Sequence, residues 1–99
     1  MRGPLAQMVA AVSQEFGVPI DEIKSKSRSG AINPARYAFI WLAEINGTTR
    51  GKLGQFLTRD RSTIYSARKM AERYRRTCES YKHRTDALRA LSFEWERGE

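Results

Sequence analysis

One periodic stripe constrains this chain more than any other feature. From Ile64 to Tyr81 the positions Ile64, Ala67, Ala71, Tyr74, Cys78 and Tyr81 are spaced alternately three and four residues apart. At about 100° per residue, this spacing gathers all six on one side of an α-helix. Arg61, Tyr65, Arg68, Lys69, Glu72, Arg75 and Arg76 fall on the other side. A helix patterned this way buries one face and shows a strongly basic one to solvent or a partner. The stripe therefore predicts a single long helix reaching Tyr81, with Cys78 in the core.

Upstream, proline and glycine set the boundaries. Gly3-Pro4 opens a helix in which Leu5, Met8, Val9, Val12 and Phe16 recur at helical spacing, and Gly17 closes it. Val18 to Ile23 reads as a short second helix. Lys24 to Ala31 has no apolar period and reads as a basic loop. Asn33-Pro34 reads as an N-cap followed by proline, starting a third helix that runs to about Ile45. That helix is expected to bury Ala38, Ile40, Trp41, Leu42 and Ile45, with Phe39 also in the core, and Asn46-Gly47 stops it. Thr48-Thr49 caps a short fourth helix through Leu53 and Phe56, and a tight turn follows at Leu57-Thr58-Arg59. Asp60 or Thr58 caps the long helix. Thr85-Asp86 is expected to start a last short helix with Ala87, Leu88 and Leu91 facing inward. No segment alternates with period two over strand length, so the fold class is all-α, a compact domain of five to six helices.

Charge narrows the function. Residues 24–84 hold 15 of the 18 Lys and Arg residues and only Glu44, Asp60, Glu72 and Glu79 as acids, a local net charge of +11 against +7 for the whole chain. Such clustering suits a polyanionic partner, through Coulomb attraction and counterion release. One cysteine in 99 residues excludes a disulfide framework and a thiolate zinc site. The longest apolar stretch, residues 37–43, is too short to cross a bilayer, so no membrane partner is expected. Residues 4–12 lack the features of a signal peptide, and a cytoplasmic, nucleoid-associated location is the expectation.

A short helix, a tight turn and a longer helix with polar and basic residues in its first turn is the layout of a helix-turn-helix. The start of the second helix would then enter the major groove of double-stranded DNA, with Arg59, Asp60, Arg61, Ser62, Thr63 and Ser66 as the reading face. These residue types suit base reading, since Arg forks onto guanine, Asp accepts from cytosine, and Thr offers a methyl to thymine. The same Asp60-x-x-Thr63 spacing also suits a simple helix cap. The loop carrying Lys26 and Arg28 can lie in a narrow minor groove or serve as a solvated linker. Arg36, one turn into the third helix, tilts the reading toward phosphate contact.

Enzymatic signals are thin. His83 is the only histidine, Gly51-Lys52 lacks the glycine-rich lead-in of a nucleotide-binding loop, and no nucleophile, base or metal set can be assembled. The expectation is a non-enzyme without cofactor, catalytic residue, metal site or bound nucleotide. Residues 1–92 form the helix-turn-helix domain in this reading, and 93–99 form an acidic tail carrying Phe93 and Trp95. That tail suits docking on the body or on a partner, so the rival reading is an adaptor for replication or transcription proteins.

The motifs carry a resemblance. Leu57-Thr58-Arg59-Asp60-Arg61-Ser62-Thr63-Ile64, continued by Tyr65-Ser66-Ala67-Arg68-Lys69, is similar to the signature of the C-terminal DNA-binding domain of the bacterial replication initiator DnaA. That signature runs Gly-Gly-Arg-Asp-His-Thr-Thr-Val. The upstream Ser25 to Ser29 and Ala35-Arg36 resemble the family's basic loop and Pro-Arg pair, and the likeness spans about residues 5–92. It implies a six-helix, Trp-repressor-like arrangement that binds a short duplex box. It further implies Arg28 in the minor groove, Arg36 and Lys52 at the backbone, and Asp60, Arg61, Ser62 and Thr63 at the major-groove positions with Arg59 alongside. Arg61 stands where the family has histidine, Ser62 where it has threonine, and Leu57-Thr58 where it has two glycines. The initiator's ATPase and oligomerisation domains have no counterpart in these 99 residues, which implies binding without nucleotide hydrolysis and a regulatory role in replication initiation or transcription.

Overall fold

The third helical segment is apolar on nearly every side, and the fold is built around it. In a computed structural model, which describes residues 4–25 and 30–91, six helices follow in order. They are α1 (Pro4–Phe16), α2 (Ile20–Lys24), α3 (Asn33–Ile45), α4 (Arg50–Leu57), α5 (Arg61–Thr77) and α6 (Glu79–Arg89). Helix α3 buries Ala35, Ala38, Phe39, Ile40, Trp41, Leu42 and Ala43 and touches all five other helices. An all-round apolar helix of this kind is stable only when enclosed. Met8, Val9 and Val12 of α1 cover one side of it, and Ile64, Ala67 and Ala71 of α5 cover another. The described residues form no strand, in keeping with the all-α expectation.

Local signals explain most boundaries. Gly17 ends α1 at φ +67°, a left-handed conformation open to glycine, and its N–H donates to Ser13 O at 2.9 Å. Thr49 caps α4 by accepting from Lys52 N at 3.2 Å. The start of α3 differs from the sequence expectation: Ile32 occupies the cap in helical conformation, and Asn33 is the first residue of the helix. The Asn33 side chain instead accepts from Arg36 Nη1 at 3.2 Å. Ile45, expected inside, is 38% exposed as the last residue of α3.

The long stripe proves to be two helices. The chain breaks at Cys78, which adopts extended geometry (φ −132°, ψ 110°), and α6 begins at Glu79 rather than Thr85. Cys78 is exposed, so its expected place in the core is wrong. The fold-back is held by Arg75, whose Nη1 donates to Thr85 Oγ1 at 2.7 Å and Asp86 Oδ1 at 2.8 Å while its guanidinium stacks on the Trp41 ring. Tyr81 still reaches the core, its ring 5.3 Å from Tyr74 and its hydroxyl donating to Pro34 O at 2.7 Å. Thr85 is buried in the middle of α6, bonded to Tyr81 O at 2.9 Å. Leu88 packs inward as expected, whereas Ala87 and Leu91 are exposed. The tail at 93–99 lies outside the described residues.

Candidate nucleic-acid interface

The connection between α4 and α5 is a tight turn over residues 58–60. Thr58 N–H points back to Gln55 O at 3.4 Å, and Arg59 N–H to Gly54 O at 2.8 Å. This is the paired bonding of a Schellman ending, which needs a left-handed residue just after the helix. Here that residue is Thr58 (φ 57°, ψ 53°), a β-branched side chain in a region that disfavours it. Gly54 permits the close return of the chain, because a Cβ there would stand 2.6 Å from the Arg59 carbonyl oxygen.

Asp60 then caps α5. Its Oδ1 accepts from Thr63 N at 2.9 Å and Ser62 Oγ at 3.0 Å. The Thr63 backbone N–H, followed by the side-chain bonds to Thr63 and Ser62, holds its carboxyl below the usual carboxylate range. Above the buried Ile64 and Ala67, the first turns of α5 present Arg61, Ser62, Thr63 and Ser66 to solvent.

Apart from Ser62, exposed and bonded to Asp60, the expected site residues divide into three groups. Arg36, Arg59, Asp60, Thr63 and Ser66 line one open groove between the start of α3, the turn and α5. Within it Arg36 is only 7% exposed. Its Nε donates to Ile23 O at 2.8 Å, and its Nη2 donates to Glu22 O at 2.9 Å and Ser25 O at 2.8 Å. Burial, then the neighbouring Arg59 charge, pulls its pKa below the usual arginine value. The structure thus sets Arg36 inside, on protein carbonyls, where the resemblance implied the DNA backbone. Arg59 joins it, with Nη2 2.6 Å from Ser25 O.

The second group lies on the other side of α5. Arg61 crosses the first turn of α4, its Nη2 3.3 Å from where a Cβ on Gly51 would stand. It lines a groove with Thr48, Thr49, Arg50, Gly51, Arg68 and Glu44. Lys52 is exposed on that same turn of α4. The third group, Lys26 and Arg28, lies outside the described residues. At its edge Lys24 sits 4.5 Å over the Phe56 ring.

Sequence reasoning missed Arg50, which ion-pairs with Glu44 at 3.3 Å and stacks 4.6 Å over the ring of Tyr65. No local pattern marks it, since its role follows from how α4 crosses α5. Arg75, expected on the exposed face of α5, points inward as described above. Among the described residues no cluster of potential metal ligands occurs, and no helix is long and apolar enough to cross a membrane. Compared with known families, residues 5–70 match the model described as the bacterial DnaA protein helix-turn-helix. No curated protein matches the chain.

Proposed function

The chain belongs to the bacterial DnaA helix-turn-helix family, and on that premise we propose that it is a sequence-specific binder of double-stranded DNA acting as a regulator. The observation that carries this reading is the exposed first stretch of α5, where Thr63 and Ser66 stand beside a cap and turn that fix the helix start. A helix start held in this way fits the major groove, roughly 12 Å across. Thr63, Ser66 and Asp60 read base edges, and Ser62 lies alongside. The Lys24 to Ala31 segment, with Lys26 and Arg28, enters the adjacent minor groove. Arg36 and Arg59 hold the root of that segment, and Lys52 meets the backbone. By occupying short boxes at the nucleoid, the protein modulates replication initiation or transcription of neighbouring genes.

The test is a selection of bound duplexes from random DNA at about 0.15 M salt, where nonspecific binding is weak. A recovered motif bound far more tightly than its scrambled version is the expected result. Equal binding of motif and scramble overturns sequence-specific reading.

A further inference from the structure

Arg61 lies on the face of α5 that carries Arg68, not on the face of Thr63 and Ser66. Its guanidinium lies against Gly51 at the start of α4, where a Cβ would stand 3.3 Å from its Nη2. Around it the groove is organised in advance. Largely buried Glu44 holds Arg50 at 3.3 Å and Arg68 at 2.7 Å, Glu72 holds Arg68 from the other side at 3.1 Å, and the Tyr65 ring supports Arg50. Arg61 itself has no acidic partner among the described residues.

Three arginines face two glutamates, so one positive charge is left over, added to the positive end of α4. The Arg50 and Gly51 amides at that end have no intrahelical acceptor. A second observation points to a ligand independently of the helix end. Thr48, also lining the groove, is 6% exposed, and its Oγ1 has no hydrogen-bond partner among the described residues. A buried hydroxyl without a partner is costly unless an acceptor arrives.

We infer that this groove is a phosphate cradle in which Arg61 is the principal ligand, and that the phosphate belongs to the duplex backbone. The inference rests on the duplex-binding reading. A helix seated in the major groove has a strand on either flank. The groove lies on the α4 side of α5, away from the groove that Thr63 and Ser66 line. Arg61 therefore fixes position and contributes no base preference, although its sequence position is one of base reading in the family it resembles.

The test compares wild type with Arg61→Ala by fluorescence anisotropy on the selected duplex and its scramble, over a range of salt. Loss of one phosphate contact lowers the slope of log affinity against log salt by about 0.9. Affinity falls by the same factor on both duplexes, and selection with the variant recovers the same motif. Gly51→Ala, whose Cβ crowds the guanidinium, shifts the slope in the same direction with Arg61 still present. Circular dichroism checks that each variant folds.

An unchanged slope with an altered motif makes Arg61 a base reader and overturns the inference alone. Failure of the wild-type chain to bind any duplex overturns the duplex reading and this inference together. Inorganic phosphate, titrated while the Gly51 and Arg61 amide resonances are followed, separates the two sources. Saturation by phosphate that leaves duplex affinity intact puts the cradle off the DNA and overturns the backbone assignment. Displacement of the phosphate by duplex supports it.

Discussion

Arg36 and Arg59 converge on one atom, the carbonyl oxygen of Ser25, at 2.8 and 2.6 Å. One arginine belongs to α3 and the other to the turn before α5, so the end of α2 is bonded to both. Two like charges are tolerated side by side because the exposed carbonyl ends of a helix carry partial negative charge, and Arg36 also takes Glu22 O and Ile23 O. The place where the chain departs into its basic loop is thereby fixed relative to the start of α5. The proposed placing of that loop and α5 in adjacent grooves needs such a fixed offset.

This arrangement gives Arg36 a structural signature. Arg36→Ala should destabilise folding by roughly 2–4 kcal/mol, since each buried carbonyl deprived of its donor costs about 1–3 kcal/mol unless water replaces it. Arg36→Lys should recover little, because one ammonium cannot span three carbonyls and the Asn33 side chain. Urea unfolding of both variants checks this. Wild-type stability in Arg36→Ala with a loss of DNA affinity would return Arg36 to the DNA backbone.

The turn makes a prediction of opposite sign at two neighbouring positions. Thr58→Gly should stabilise the fold by about 1 kcal/mol, since the left-handed conformation costs a side chain with a Cβ roughly 1–2 kcal/mol and glycine returns part of that as chain entropy. For a domain this size that raises Tm by about 4–8 °C. Gly54→Ala should lower Tm, because its Cβ would stand 2.6 Å from a backbone oxygen that cannot swing aside. Thermal unfolding followed by circular dichroism reads both. A Thr58→Gly variant no more stable than wild type would mean that the threonine conformation carries no strain.

Asp60 predicts the acid limb of stability. Its carboxyl is held below the usual range chiefly by the Thr63 backbone N–H, and Asp86 is lowered chiefly by its hydrogen bond from Arg75. For a carboxylate with a depressed folded pKa, the stabilisation is complete above the unfolded value, about 3.9, and disappears as pH falls through the lower folded value. Asp60→Asn keeps the cap but cannot titrate, so its Tm should fall less steeply below about pH 4 than that of wild type. Profiles that stay parallel from pH 2 to 7 would exclude Asp60 from the acid transition.

What could be read from the sequence was what depends on near neighbours. The Asp60 cap, the Thr49 cap and the Gly17 stop are each set within a few residues, and all appear in the structure. The break at Cys78 was hidden because Tyr81 keeps the apolar phase across it. Two helices folded back onto one core can preserve a period that a single helix would also show. The carbonyl partners of Arg36 were hidden for a different reason. A guanidinium reads as surface chemistry until the carbonyls that bury it, contributed from α2, are brought alongside by the fold. Arg61 is similar: its neighbour Gly51 lies ten positions earlier and on another helix, and only the fold brings the two together.

Thr63 and Lys52 should divide recognition into its two parts. The α5 cap uses the backbone N–H of Thr63, so Thr63→Ala keeps that bond and loses only what the side chain supplies, its own bond to Asp60 included. A lost base contact costs roughly 1–3 kcal/mol on the preferred duplex and little on a scrambled one, which flattens the selected motif at one position. Lys52 is exposed on the first turn of α4, and its ammonium carries charge without the geometry to select a base. Lys52→Ala should weaken both duplexes alike and reduce the salt slope by about one. Anisotropy titrations on the two duplexes at several salt concentrations separate these outcomes. If both variants lose affinity uniformly, Thr63 touches the backbone, and the reading of bases shifts to Ser66 and Asp60, which line the same groove.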